Sequence, residues 1–169
     1  MVAHCPVSNL KLGCGIARVP DLLAADVRVG LGTDGAASTG ALDLVATARM
    51  AALLHKGTTR NPTTISAEHA VRLGTVEGAR GLGLRDVGTV EIGMRADLQV
   101  VQTSTLNTEP TADPWAAIVY GASAADVRHT IINGRVVMRD GVLQTIDEVA
   151  ALEELRRIAT GAAAATRHN

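Results

Sequence analysis

The sequence has no phenylalanine, one tryptophan (Trp115) and one tyrosine (Tyr120), so aromatics make up 1% of its 169 residues. Modules that stack nucleic-acid bases or sugar rings rest on aromatic faces, and this chain has almost none to offer. Its two cysteines, Cys5 and Cys14, are too few for a disulfide framework and form no C-x-x-C pair. Neither sign of charge dominates: 16 Lys and Arg stand against 17 Asp and Glu, a formal net charge of −1. That balance excludes a broad electrostatic grip on nucleic acid or anionic lipid. No apolar run approaches the roughly 18 to 20 residues that span a bilayer. The opening Met-Val-Ala-His-Cys-Pro lacks the basic and apolar regions of a secretory signal. These absences predict a cytoplasmic protein with neither a nucleic-acid nor a membrane partner. At 47% hydrophobic and 20% charged residues, the chain is apolar enough for a packed core.

What is present changes character near residue 84. Val2-Ala3-His4 and Val27-Arg28-Val29-Gly30-Leu31 are short β-prone runs, closed by Pro6 and by Gly32-Thr33-Asp34-Gly35. Between them, residues 19–25 fit a two-turn helix with Pro20 at its start, where the missing N–H costs nothing. This βαβ rhythm predicts parallel strands. A helix is expected over about 39–55, capped by Ser38, with Leu42, Val45, Ala46, Arg49, Leu53 and Lys56 at helical spacing. Another is expected over about 67–82, capped by Ser66. Beyond Gly83 the pattern turns to β: strands over 88–93 and 96–101, a polar loop with Pro110 and Pro114, and a hairpin about Asn133-Gly134. Thr145-Ile146-Asp147-Glu148 reads as a capping box for a last helix, and the Ala-rich tail 161–169 is expected to fray. Residues 1–84 thus read as α/β, 85–144 as mostly β, and 145–169 as helix and tail. Two parallel strands cannot make a doubly covered sheet, so the first part reads as the end of a larger one.

The sharpest local feature is Leu31-Gly32-Thr33-Asp34-Gly35-Ala36-Ala37-Ser38. A carboxylate just after a parallel strand points into the mouth of an α/β barrel or sheet, where such folds place chemistry. Asp34 also suits a helix cap or a Gly-rich turn, the reading that spacing alone favours, and spacing leaves both readings open. His4 ends the first strand and could face the same mouth, although a lone histidine before Cys-Pro also fits a hydrogen-bonded structural role. Ser8 and Asn9 follow in a polar turn, where they orient a ligand or close the loop. The other histidines are His55, His69, His129 and His168, and no two of the five are closer than 14 positions. With no H-x-H, H-E-x-x-H or cysteine cluster, a self-sufficient metal site is not expected. G-x-S-x-G, P-loop and dinucleotide fingerprints are missing as well.

Several segments together resemble one family. They are His4-Cys5-Pro6-Val7-Ser8-Asn9-Leu10-Lys11-Leu12, Gly32-Thr33-Asp34-Gly35-Ala36-Ala37-Ser38, Ala51-Ala52-Leu53-Leu54-His55-Lys56 and Gly78-Ala79-Arg80-Gly81-Leu82-Gly83. Gly88-Thr89-Val90-Glu91-Ile92-Gly93-Met94-Arg95-Ala96-Asp97-Leu98 and Ile132-Asn133-Gly134-Arg135-Val136-Val137 continue the likeness. The family is the metal-dependent amidohydrolase superfamily, in the branch of methylthioadenosine/S-adenosylhomocysteine deaminases and triazine hydrolases. Two departures stand near the expected site: Arg18 for the family's usual proline, and Thr39-Gly40 for an asparagine-containing pair.

The resemblance implies an α/β fold: a distorted (β/α)8 TIM-like barrel plus a small β-sandwich built from both chain ends. A barrel takes about 250 residues, so only its C-terminal part is expected here. Residues 1–84 would supply the last two barrel strands and closing helices, and 85–144 the C-terminal part of the sandwich. The implied activity is hydrolysis of a non-peptide C–N bond, most simply deamination of an aminopurine nucleoside or related small N-heterocycle. The implied cofactor is one divalent metal, zinc or alternatively iron, most of whose ligands have no matching position in this chain. Asp34 matches the family's last-strand aspartate, which touches the metal and takes a proton from the hydrolytic water. His4 and Asn9 match recurrent positions and are expected to shape the site. The full-length form is expected to be a homo-oligomer, and this chain alone to be inactive. The alternatives are a triazine- or oxoguanine-type hydrolase, and an inactive partial homologue acting as an interaction module.

Overall fold

The computed structural model describes residues 1–110 and 112–166, with side chains as far as residue 161. Strand β1 (Val2–His4) pairs in parallel with β2 (Val29–Leu31), Val2 opposite Val29 and His4 opposite Leu31. The connection carries α1 (Pro6–Lys11) and α2 (Val19–Ala24), each with a proline in its first turn. There the backbone N–H has no helical partner to lose. The βαβ reading of the sequence therefore holds.

The expected helix over 39–55 is two helices, α3 (Ala36–Thr39) and α4 (Leu44–Thr59). Gly40, at φ +96°, ends the first, and Asp43 caps the second by accepting the Ala46 N–H at 2.9 Å. Ser38, expected as the cap, lies inside α3. The buried residues of α4 are Thr47, Ala48, Ala51, Ala52 and His55, while Leu53 is 51% exposed. The sequence reading followed the bulky residues, but the helix packs through its small ones, which permit close approach.

The expected helix over 67–82 is likewise α5 (Ala67–Gly74) and α6 (Val76–Gly81). Ser66 caps α5 as expected, accepting the His69 N–H at 3.1 Å. At the break, the Thr75 hydroxyl donates back to the Val71 carbonyl at 2.9 Å. A side chain that bonds its own preceding turn offers the backbone an exit from the helix. Val19, Val29, Ala48, Ala52, Ile65, Ala67, Ala70, Leu73 and Val119 form the core cluster between β2 and these helices.

The second part is an antiparallel sheet of β3 (Leu98–Val101), β4 (Val127–Ile132), β5 (Arg135–Arg139) and β6 (Val142–Leu143), in that order. The hairpin forms as read: Asn133 and Gly134 both take positive φ, 48° and 77°, as its two-residue turn requires. Asp97 fixes the turn by accepting the Asn133 N–H at 2.6 Å. The strand expected over 88–93 is a series of turns, with Gly88 and Gly93 at positive φ and Val90 and Ile92 exposed. Among the described residues nothing pairs with it, and alternation alone cannot hold a strand.

Between β3 and β4 lie α7 (Pro114–Ala116) and a five-residue π-helical turn, Ala117–Gly121. Arg49 ties that turn to α4: its guanidinium donates to the Val119 carbonyl at 2.8 Å and to the Ala122 carbonyl. Gly88 passes so close to α6 that a Cβ there would lie 2.8 Å from the Val76 Cα. The last helix, α8 (Glu148–Thr166), is capped by Asp147, which accepts the Ala150 N–H at 3.0 Å, rather than by Thr145. Of the tail expected to fray, 161–166 is helical and 167–169 lies outside the described residues. Among the described residues no helix is long and apolar enough to cross a membrane.

Candidate active site

Parallel strands end on one side, so the loops after β1 and β2 meet there. The Gly32 N–H extends the pairing by donating to the His4 carbonyl at 3.0 Å, and Asp34 follows two residues on. Asp34 adopts φ +64°, left-handed backbone that an aspartate tolerates better than most residues. Its carboxylate takes three hydrogen bonds. Ser8 Oγ donates to Oδ2 at 2.6 Å, Ser38 Oγ donates to the same oxygen at 2.8 Å, and the Gly35 N–H donates to Oδ1 at 2.7 Å.

Hydrogen bonds to the charged form favour it, so Ser8 first, then Ser38 and Gly35, hold the carboxyl below its usual range. The carboxylate therefore stays ionised although it forms no ion pair among the described residues. Asp34 does not cap a helix: the residue before α3 is Gly35, and α3 has no side-chain cap. Of the two readings left open by spacing, the turn-organising one is seen directly, in the bonds to Gly35 and Ser38. It does not compete with chemistry at the free edge of the carboxylate.

The three residues named from the sequence end up in different surroundings. His4 is buried, 2% exposed, with its Nε2 3.1 Å from the Nε2 of His55. The ring centroids lie 5.1 Å apart at 39°. One ring donates N–H and the other accepts, which requires a neutral acceptor. Burial, then the charge of His55, brings the His4 pKa down to about 4, and burial also lowers that of His55. His4 Nδ1 is buried with no partner among the described residues. Side chains alternate along a strand, so His4 shares a face with Val2, while Ala3 and Cys5 share the other.

Cys5 is the residue that feels Asp34. Burial, then the carboxylate's charge, pushes its thiol up, so it stays protonated at neutral pH. Asn9, half-buried in α1, receives the Cys14 N–H on its main-chain carbonyl at 2.8 Å. The structure therefore brings Asp34 together with Ser8, Ser38 and Cys5, and gives neither His4 nor Asn9 a hydrogen bond to it among the described residues. His55 was passed over because it lies 51 positions from His4; its place on the small-residue face of α4 was the available signal.

A closed zinc site takes three or four ligands. Among the described residues no group of three His, Cys, Asp or Glu could hold a metal ion. Asp34 is suited to one position of such a shell and does not complete it.

Residues 1–137 match the profile of the amidohydrolase family. The chain belongs to the amidohydrolase family. It is 48% identical over 147 residues, 86% of its length, to a 5-methylthioadenosine/S-adenosylhomocysteine deaminase of Moorella thermoacetica. An adenosine deaminase structure from Xanthomonas campestris, with bound zinc, superposes with a TM-score of 0.89 at 36% identity over 92% of the chain. An atrazine chlorohydrolase of Arthrobacter aurescens, complexed with zinc, gives 0.80 at 27% identity over 96% of the chain. The α/β fold of this amidohydrolase chain is thus that of the family's barrel proteins over the matched part. The chain spans about a third of these proteins: 34%, 36% and 35% of their respective lengths.

Proposed function

We propose that these residues are the C-terminal part of a zinc-dependent deaminase that replaces the amino group of an aminopurine nucleoside, or a related N-heterocycle, with oxygen from water. The observation that carries this reading is Asp34. It is an exposed carboxylate just after the C-terminal end of a parallel strand, kept ionised by three donors. On this reading 1–84 supply the last two barrel strands and closing helices, and 85–144 supply the C-terminal part of a β-sandwich. The zinc bound in the two solved structures supports the choice of metal.

When bound, the cation lowers the pKa of a water molecule toward neutrality. Asp34 would accept a proton from the attacking water as its oxygen bonds to the ring carbon, and would then return that proton to the amino group, which leaves as ammonia when the C–N bond breaks. The Ser8 and Ser38 hydroxyls keep the carboxylate oriented through both transfers. His4 and Asn9 act around the site rather than in it: His4 fixes β1 against α4, and Asn9 shapes the turn after α1. A cytoplasmic location and a homo-oligomeric full-length form belong to the same reading.

The test joins this chain to the N-terminal two thirds, approximately, of the Moorella thermoacetica relative and loads the fusion with zinc. The expected result is ammonia release from 5′-methylthioadenosine and no chloride release from a chlorotriazine. A folded, zinc-loaded fusion that releases chloride but no ammonia would assign the segment to triazine-type chemistry; one that releases neither would make it an inactive homologue.

A further inference from the structure

We infer that Ser8 is a positioning residue, whose hydroxyl occupies Oδ2 of Asp34 so that Oδ1 is the oxygen left to take the proton. This inference rests on the reading of Asp34 as the proton acceptor.

A carboxylate offers about four lone-pair positions, two on each oxygen. Oδ2 accepts from both Ser8 and Ser38, which fills it. Oδ1 accepts only the Gly35 N–H among the described residues, which leaves it one position. The two oxygens are therefore not equivalent, and the protein has chosen between them.

The two serines are not equivalent either. Ser38 Oγ lies 2.8 Å from Asp34 Oδ2 and 2.9 Å from the Gly35 carbonyl, so its single hydrogen is shared. Ser8 is 2% exposed, and Asp34 Oδ2 is the one acceptor its hydroxyl has among the described residues, at 2.6 Å. A short O–H···O⁻ bond from a buried donor with one acceptor is the stronger kind. It also spans the site, because Ser8 stands on α1 after β1 and Asp34 on the loop after β2, 26 positions apart. Lys11, one turn along α1, reinforces the bridge by donating to the Ala37 carbonyl of α3 at 3.2 Å. The β1 loop thus sets the side-chain angle of an acid carried by the β2 loop.

The experiment uses the zinc-loaded fusion with Ser8→Ala, Ser8→Thr and Asp34→Asn. Loss of a charge-assisted hydrogen bond to a reacting group predicts a kcat about tenfold lower in Ser8→Ala. KM and zinc per chain should stay within about twofold, and Ser8→Thr should recover most of the rate, because binding and ligation do not use the hydroxyl. In crystals of Ser8→Ala, the Asp34 carboxylate should leave its original orientation. A wild-type kcat in Ser8→Ala alongside a collapsed Asp34→Asn would overturn the role of Ser8 and leave Asp34 standing. Full activity in Asp34→Asn would instead remove the reading on which the inference rests. Equal losses in Ser8→Ala and Ser8→Thr would overturn the role of the hydroxyl by tracing the effect to packing, and loss of zinc in Ser8→Ala would overturn it by tracing the effect to ligation.

Discussion

Every residue of the core cluster lies in the parallel-strand part or in the π-helical turn packed on it, whereas in the four-stranded sheet Val127 is the one buried strand residue. The sheet has pairing without depth: β4, β5 and β6 are joined by turns whose own residues, Asn133-Gly134 and Asp140-Gly141, take the required positive φ. The first part has depth with little pairing: one parallel pair of three-residue strands held by helices packed through alanines. The proposed chemistry lies at the rim of the deep part, on loops that a rigid floor can hold still. An exposed carboxylate is fixed there by its neighbours' donors, and the buried imidazoles of His4 and His55 join β1 to α4.

The contrast is broken most directly by truncation in each part. Leu73, fully buried, should cost about 2–5 kcal/mol as Leu73→Ala, through lost burial and a residual cavity. Val136→Ala in the half-buried face of β5 should cost less than about 1.5 kcal/mol. Urea unfolding followed by circular dichroism measures both, and equal costs would remove the distinction between the two parts.

Acid sharpens the contrast, because the paired buried histidines belong to the deep part. His4 has a folded-state pKa of about 4 against an ordinary 6.5, and His55 is lowered as well. The unfolded chain therefore takes up protons first as pH falls. Stability is full above about 6.5 and declines from there toward about 4, at no more than about 1.4 kcal/mol per pH unit for each histidine. Thermal unfolding across that range checks the sign; His55→Gln should flatten the dependence, and an unchanged slope would contradict it.

The smallest effect belongs to a turn of the sheet. Gly134 stands at φ +77° with nothing within 4 Å of where a Cβ would go, so Gly134→Ala meets backbone strain alone. The expected cost is about 1 kcal/mol, read as a fall in melting temperature.

Much of this was legible where the signal is local. The parallel pair, the Ser66 cap and the Asn133-Gly134 hairpin follow from short stretches whose chemistry admits few alternatives. What was not legible depends on distant partners. The buried face of α4 went to its alanines because α5 brings alanines to meet them. The strand expected at 88–93 had the right alternation but no neighbour to bond. At the site, Asp34 was visible from its place after a strand, and its partnership with Ser8 was not, because it joins residues 26 positions apart. His55 was hidden for the same reason.

The central claim, that Asp34 is the proton acceptor this segment brings to a zinc-dependent deamination, is tested most directly by kcat and zinc content of the fusion carrying Asp34→Asn. An amide still offers an oxygen to the cation but cannot take the proton, so kcat should fall at least about a hundredfold with zinc largely retained. A near-normal kcat with zinc in place would contradict the account and leave Asp34 as the organiser of a turn.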